Sequence, residues 1–257
     1  MQQDTPDLEW LDGDVPRARQ FADTYFSKAG GLAETRHVFL RGNRLPGRWV
    51  GLDTFTIGEF GFGTGLNFLA TLEALSAMDP APHVTFLSFE LHPLSRNQLE
   101  RALAAFPELA SLTGPLLDRW RPAPGWQILS FDGADLVLGI GDARQMIAQV
   151  EPHAAAGRAR VEAVAGKVVV APVDAWFLDG FSPARNPELW QEDLLKSAAG
   201  LTAPGGTLAT YTSAGWVRRN LIAAGFSIAK AKGFAGKREM VEGVLPGPAD
   251  TSLIPGR

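Results

Sequence analysis

The chain has no cysteine among its 257 residues. Disulfides and thiolate catalysis are thereby excluded, and a reducing compartment fits. It has no apolar run at its start: Met1 to Asp14 is polar and acidic. Neither a signal peptide nor a membrane span is expected, which makes the cytoplasm the expected location. No metal site is expected. A net charge of −4 argues mildly against a nucleic-acid partner, although local basic runs are present. Two phosphate-binding signatures are also missing. In the glycine-rich stretch Gly61-x-Gly63-x-x falls on Leu66, so the dinucleotide fingerprint fails, and no Gly-Lys-Ser/Thr follows.

What is present is TFTIGEFGFGTGLN, residues 54–67. Thr54 to Ile57 alternates as a buried strand does, and Leu66 to Leu72 has helical spacing. Strand, glycine turn and helix form the nucleotide-binding corner of a doubly wound α/β sheet. Glycine inside regular structure costs roughly 0.5–1 kcal/mol relative to alanine. Gly61, Gly63 and Gly65 so close together point to unusual φ/ψ or to a close backbone approach. Glu59 would repel a pyrophosphate but suits a cationic amino acid. S-adenosylmethionine, with an ammonium, a sulfonium and no phosphate, matches that; a tight turn that only packs the helix is the other reading.

Later strands end in the same way. Val84 to Phe89 leads to Glu90, placed to hold a ribose diol or to be a surface strand end. Leu136 to Ile140 leads to Gly141-Asp142-Ala143-Arg144, where Asp142 can meet an adenine amino group, cap a helix, or do both. Val173 to Leu178 is wholly buried by composition, apart from Asp174, and delivers Asp179-Gly180-Phe181. Methylating an amine requires removal of a proton and alignment with the donor. Asp179 is the acid best placed to accept that proton, and Phe181 could stack on a planar base. A turn-starting Asp179 and a core Phe181 are the plainer alternatives.

Elsewhere, residues 1–20 read as a loose arm, 32–39 as a strand or short hairpin, 107–127 as irregular, and 151–171 as a peripheral insertion. The basic run Arg36, His37, Arg41, Arg44 and Arg48 either binds RNA or is a solvated face. Lys237 and Arg238 lie in a glycine-flanked loop suited to phosphate contacts. The expected organisation is an N-terminal arm with a small β extension over 1–50, a Rossmann-like domain over 51–245 and a flexible tail over 246–257.

GLAETRHVFLRGN (31–43), FTIGEFGFGTGLNFLAT (55–71), DAWFLDGFSPARNPELW (174–190) and GFAGKREM (233–240) resemble the family made up of the methyltransferase half of the bifunctional tRNA-modification protein MnmC and its stand-alone relative MnmD. The resemblance covers about residues 10–245. It implies an α/β class I methyltransferase fold, a seven-stranded mostly parallel sheet, with S-adenosylmethionine as donor. It implies N-methylation of 5-aminomethyl-(2-thio)uridine at the tRNA wobble position. Carried over by position, Asp179 is the base, while Glu59, Gly61, Gly63, Gly65, Glu90 and Asp142, with Asn67 and Ala143 beside them, take the donor. Phe181, Lys237 and Arg238 then serve the tRNA. The family's bifunctional members continue into a flavin-dependent oxidase, for which this sequence shows no span, so a separate oxidase or another source of the amine is expected. The alternatives are a transferase on the same scaffold acting on another amine, and a non-catalytic RNA-binding module.

Overall fold

A computed structural model describes residues 5–28, 30–154, 160–162, 166–236 and 239–247. The chain opens with a small antiparallel sheet of Leu8–Leu11 (β1), Val15–Ala18 (β2) and Asp23–Thr24 (β3). The expected loose arm is therefore partly ordered. Val15 and Ala18 are buried, and the Arg101 guanidinium lies 4.2 Å over the Trp10 ring.

Residues 31–41 are helical, not a strand or hairpin: Gly31–Thr35 (α1) runs into a π-helical turn, Arg36–Arg41. Leu32, Val38, Phe39 and Leu40 are all buried from this segment, which sinks one face into the core. Of the basic run, Arg36 pairs with Glu73, and Arg48 donates to the carbonyl of Asp174 and the hydroxyl of Thr207. Arg36 thus ties the segment to the helix Leu66–Ser76, and Arg48, just beyond it, ties the chain to the sheet.

The central sheet comprises Thr54–Phe60 (β4), His83–Glu90 (β5), Gly125–Phe131 (β6), Ala134–Ile140 (β7), Val173–Leu178 (β11), Thr202–Thr210 (β12), Ser227–Lys232 (β13) and Glu239–Val244 (β14). Between β7 and β11 lie Val150–Pro152 (β8), Arg160–Glu162 (β9) and Lys167–Val170 (β10), a separate three-stranded sheet formed within the expected insertion. Strand order in the main sheet is β13-β14-β12-β11-β4-β5-β7-β6. It has eight strands rather than the expected seven, because β6 folds back antiparallel on β7. β12, β11, β4, β5 and β7 run parallel, and β4, β5, β7 and β11 are almost wholly buried, as parallel strands covered on both faces must be.

Helices follow the strands. Leu66–Ser76 (α2) is buried along most of its length. Arg96–Leu103 (α3) starts at a capping box in which Ser95 and Gln98 satisfy each other's backbone N–H. Ala110–Arg119 (α4) stands where irregular chain was expected and carries Pro115 inside it. Ala143–Met146 (α5), Glu192–Leu201 (α6) and Gly215–Ala223 (α7) complete the set.

Register places the site. In the parallel ladder Glu59 pairs with Phe177 on one side and Ser88 on the other, and Glu90 pairs with Ile140. Neighbouring strands lie about 4.8 Å apart. The chain therefore leaves β4, β5, β7 and β11 at adjacent points on one edge, with an acid at each exit. Between β4 and β11 the winding reverses direction, and ligands bind at such a switch point in open α/β sheets.

Candidate active site

A cavity of about 710 Å³ opens at that edge. This is the size of a small-molecule site. The glycine corner forms one wall. Gly61, Gly63 and Gly65 all have φ between +56° and +76°, the left-handed region. Gly61 has a further constraint: a Cβ there would stand 2.9 Å from the Cα of Gly180. The turn after β4 and the turn after β11 are thus in backbone contact, which joins the glycine corner to the loop that carries Asp179. Behind the corner Phe62 stacks on Trp120 at 5.3 Å, so α4 and the residue that follows it support the loop.

The loop 179–182 is held at every residue. Asp179 Oδ2 accepts from Asn67 Nδ2 at 2.8 Å, and the Gly180 carbonyl accepts from the Tyr211 hydroxyl at 2.8 Å. The Phe181 carbonyl accepts from the Trp190 indole at 3.1 Å, and Ser182 N donates to Asp23 Oδ2 at 2.8 Å. Asp179 and Phe181 both line the cavity. Phe181 is stacked on Phe21 at 4.6 Å and edge-on to Tyr25 at 5.1 Å, so one face of its ring is already covered.

Glu90 lines the cavity with both oxygens engaged: Gly63 N donates to Oε2 at 2.8 Å and His92 N to Oε1 at 2.7 Å. A carboxylate has about four lone-pair sites, so two hydroxyls can still be accommodated. Burial raises its pKa, against the pull of those backbone bonds. Asp142 is the N-cap of α5, accepting from Arg144 N at 2.9 Å, and its hydrogen bond and ion pair with the Arg144 guanidinium hold its pKa low. It lines the cavity beside Ala143, so the capping and cavity-lining roles are compatible.

Glu59 sits deeper than a strand-end acid need do. It is fully buried, does not line the cavity, and accepts from Asn67 Nδ2 at 2.9 Å and from the Ser88 hydroxyl. Burial drives its pKa well up, partly offset by those two donors and reinforced by Asp179 and Glu90. Asn67 does line the cavity, and its Oδ1 accepts from Thr35 Oγ1 at 2.9 Å. Lys237 and Arg238 lie outside the described residues.

The N-terminal segment contributes cavity-lining residues that were not among the expected site residues: Phe21, Asp23 and Tyr25 from the small sheet and its turn, and Glu34 and Thr35 from α1. Tyr211, after β12, lines the cavity too. Its pKa is raised by burial first and then by Asp179, Asp23 and Glu34, which sets three carboxylates within electrostatic reach of one hydroxyl. Glu34 and Thr35 fall within the stretch 31–43 that carries the family resemblance, but spacing alone marks none of these as site residues, because each reaches the cavity through tertiary packing.

The raised acids have a thermodynamic consequence. From the ordinary carboxylate value of about 4.3 up to the raised value, the folded chain holds a proton that the unfolded chain has released. The stability that Glu59 and Glu90 contribute therefore falls as pH rises through that window. Glu90→Gln should remove its share of the fall. Thermal melts across pH are expected to show the variant gaining on the wild type as pH rises; parallel curves would contradict this.

A family model described as S-adenosyl-L-methionine-dependent methyltransferase matches residues 107–246. The chain is 47% identical over 245 residues to a tRNA 5-methylaminomethyl-2-thiouridine biosynthesis bifunctional protein MnmC from Aeromonas hydrophila, covering 92% of this chain and 35% of that protein. A protein of the same name from Caulobacter sp. (strain K31) is 42% identical over 97% of this chain and 40% of its own length. The chain thus spans little more than a third of the curated relatives it matches. The fold is similar to the crystal structure of MNMC2 from Aquifex aeolicus, with a TM-score of 0.73 at 24% identity over 96% of this chain and 72% of that one.

Proposed function

Because the chain belongs to the S-adenosyl-L-methionine-dependent methyltransferase family, we propose that it N-methylates 5-aminomethyl-(2-thio)uridine at the tRNA wobble position. The observation that carries this reading is Asp179, held on the cavity wall next to the glycine corner in acid-rich surroundings. The names of the relatives point to a methylaminomethyl product, and the amine that precedes it is a cation at neutral pH.

The residues present fit the donor. The corner between Gly61 and Gly180 has no room for a Cβ, Glu90 keeps lone pairs for a ribose diol, and the lining is rich in carboxylates suited to a ligand that carries an ammonium and a sulfonium. When bound, S-adenosyl-L-methionine supplies an electrophilic methyl carbon on a sulfonium. Glu90 is proposed to hold the ribose, Asp142 and Ala143 the adenine end, and Gly61 to Gly65 the methionine end. Asp179 is proposed to draw in the substrate ammonium and accept the proton that frees its lone pair. Phe181, with Phe21 and Tyr25 behind it, offers an aromatic edge to the base that bears the amine. Glu59 acts from beneath, through Asn67.

On this reading the cytoplasm is the proposed location; no helix among the described residues is long and apolar enough to cross a membrane. The reading also requires an upstream reaction that exposes the primary amine, for which a flavin-dependent oxidase is the proposed class. Glu90→Gln is expected to weaken donor binding about tenfold or more by calorimetry, since it converts a charge-assisted bond to a neutral one. Unchanged affinity would remove Glu90 from the ribose. Methyl transfer to aminomethyl-bearing tRNA, and none to a free amine, tests the substrate; the reverse preference would favour the small-amine transferase.

A further inference from the structure

We propose that Asn67 is the positioning residue for Asp179, and that Thr35 fixes Asn67 in the orientation this requires. The inference rests on the reading of Asp179 as the base.

One side-chain amide makes three bonds here. Asn67 Oδ1 accepts from Thr35 Oγ1 at 2.9 Å, while Nδ2 donates to Glu59 Oε1 at 2.9 Å and to Asp179 Oδ2 at 2.8 Å. A side-chain amide has two N–H donors. Both are spent on carboxylates, one from β4 and one from the loop after β11. Asn67 is 6% exposed and Glu59 0%, so water cannot replace these bonds freely. The orientation of the amide is decisive. Flipped, its carbonyl oxygen would face two carboxylates and its N–H groups would face a hydroxyl. The Thr35 hydroxyl, donating to Oδ1, selects the productive orientation from α1.

Two effects on Asp179 follow. The carboxylate is aimed, because Oδ2 is tied and the side chain cannot rotate without breaking a partly buried bond. It also faces an N–H donor rather than a bare second carboxylate, because the shared amide stands between Asp179 and Glu59. Among the described residues, Glu90 at the end of β5, Tyr211 after β12, Asp23 on β3 and Glu34 on α1 are acids within electrostatic reach of this pair or of the Tyr211 hydroxyl beside it, and the basic side chains Lys28, His92 and Arg144 line the same cavity, Arg144 paired with Asp142.

The test compares Thr35→Val, Thr35→Ser, Asn67→Ala and Asp179→Asn for kcat, KM, donor affinity by calorimetry, pH–rate profile and melting temperature. Thr35→Val is expected to lower kcat about tenfold and move the acid limb of the profile up by about one pH unit, as loss of a charge-stabilising hydrogen bond requires. Donor affinity should stay within about twofold. Thr35→Ser, which retains the hydroxyl, should recover most of kcat. Asn67→Ala should fall further, about a hundredfold, in the same direction. Identical behaviour of Thr35→Val and Thr35→Ser would overturn the proposal. So would weakened donor binding with kcat intact in Asn67→Ala, which would make Asn67 a donor contact. Full activity in Asp179→Asn would instead remove the base assignment, a separate outcome.

Discussion

Asp179→Asn is expected to lower kcat by about a thousandfold while donor affinity stays within about twofold. General-base removal typically costs about 10²–10⁴ in rate. The asparagine side chain has the same shape and keeps an oxygen for Asn67 Nδ2, so the loop should remain tied as it is now. The other anchors of the loop, from Tyr211, Trp190 and Asp23, do not involve the Asp179 side chain. The loss should therefore appear in the chemical step rather than in folding. Single-turnover transfer from labelled donor, paired with calorimetry, reads the two quantities separately. Wild-type-like turnover would mean that another group takes the proton.

Gly61→Ala should be the most damaging small substitution. At φ +76° a non-glycine residue costs about 1–2 kcal/mol. The added Cβ would also meet the Gly180 backbone at 2.9 Å, and that backbone cannot retreat because Tyr211 holds the Gly180 carbonyl. Overpacking typically adds about 1–3 kcal/mol. A melting temperature lower by about 5–15 °C follows for a domain of this size. Donor binding should weaken as well, because the two turns that meet here line the cavity. Gly51→Ala provides the control. Its φ is +78°, but a Cβ there meets nothing within 4 Å. It should lose only the conformational part and leave donor affinity unchanged. Equal effects of the two substitutions would show that the contact between the turns carries no weight.

The parallel core was legible because it obeys local rules. The strand pattern of residues 54–60, the glycines after it and the apolar run before Asp179 each reflect neighbours a few positions apart, and β4 and β11 are observed at Thr54–Phe60 and Val173–Leu178. What escaped was less local. Pro115 and Gly114 sit in the middle of α4 and mask its periodicity; the helix persists because Leu116 and Leu117 bury against the core. Residues 31–41 begin behind the glycine pair Gly30-Gly31 and carry Thr35 and Val38, which hid the helix, although Leu32, Ala33, Glu34, Arg36, Leu40 and Arg41 are good helix formers. The depth of Glu59 could not be read either. An acid at a strand end looks the same in sequence whether it faces a cleft or lies under it, and its partners Ser88 and Asn67 are chosen by register and by helix rotation. Thr35 and Asn67 are 32 positions apart, and nothing in the spacing joins them.

The most direct test is a single incubation: purified protein, labelled S-adenosyl-L-methionine, and tRNA carrying 5-aminomethyl-2-thiouridine at the wobble position, with digested nucleosides read by mass spectrometry. Conversion of that nucleoside to its methylaminomethyl form, absent with unmodified tRNA and lost in Asp179→Asn, is the predicted result. Donor binding with no methyl group delivered to the wobble nucleoside would contradict the proposed substrate. Label arriving there undiminished in Asp179→Asn would contradict the proposed chemistry.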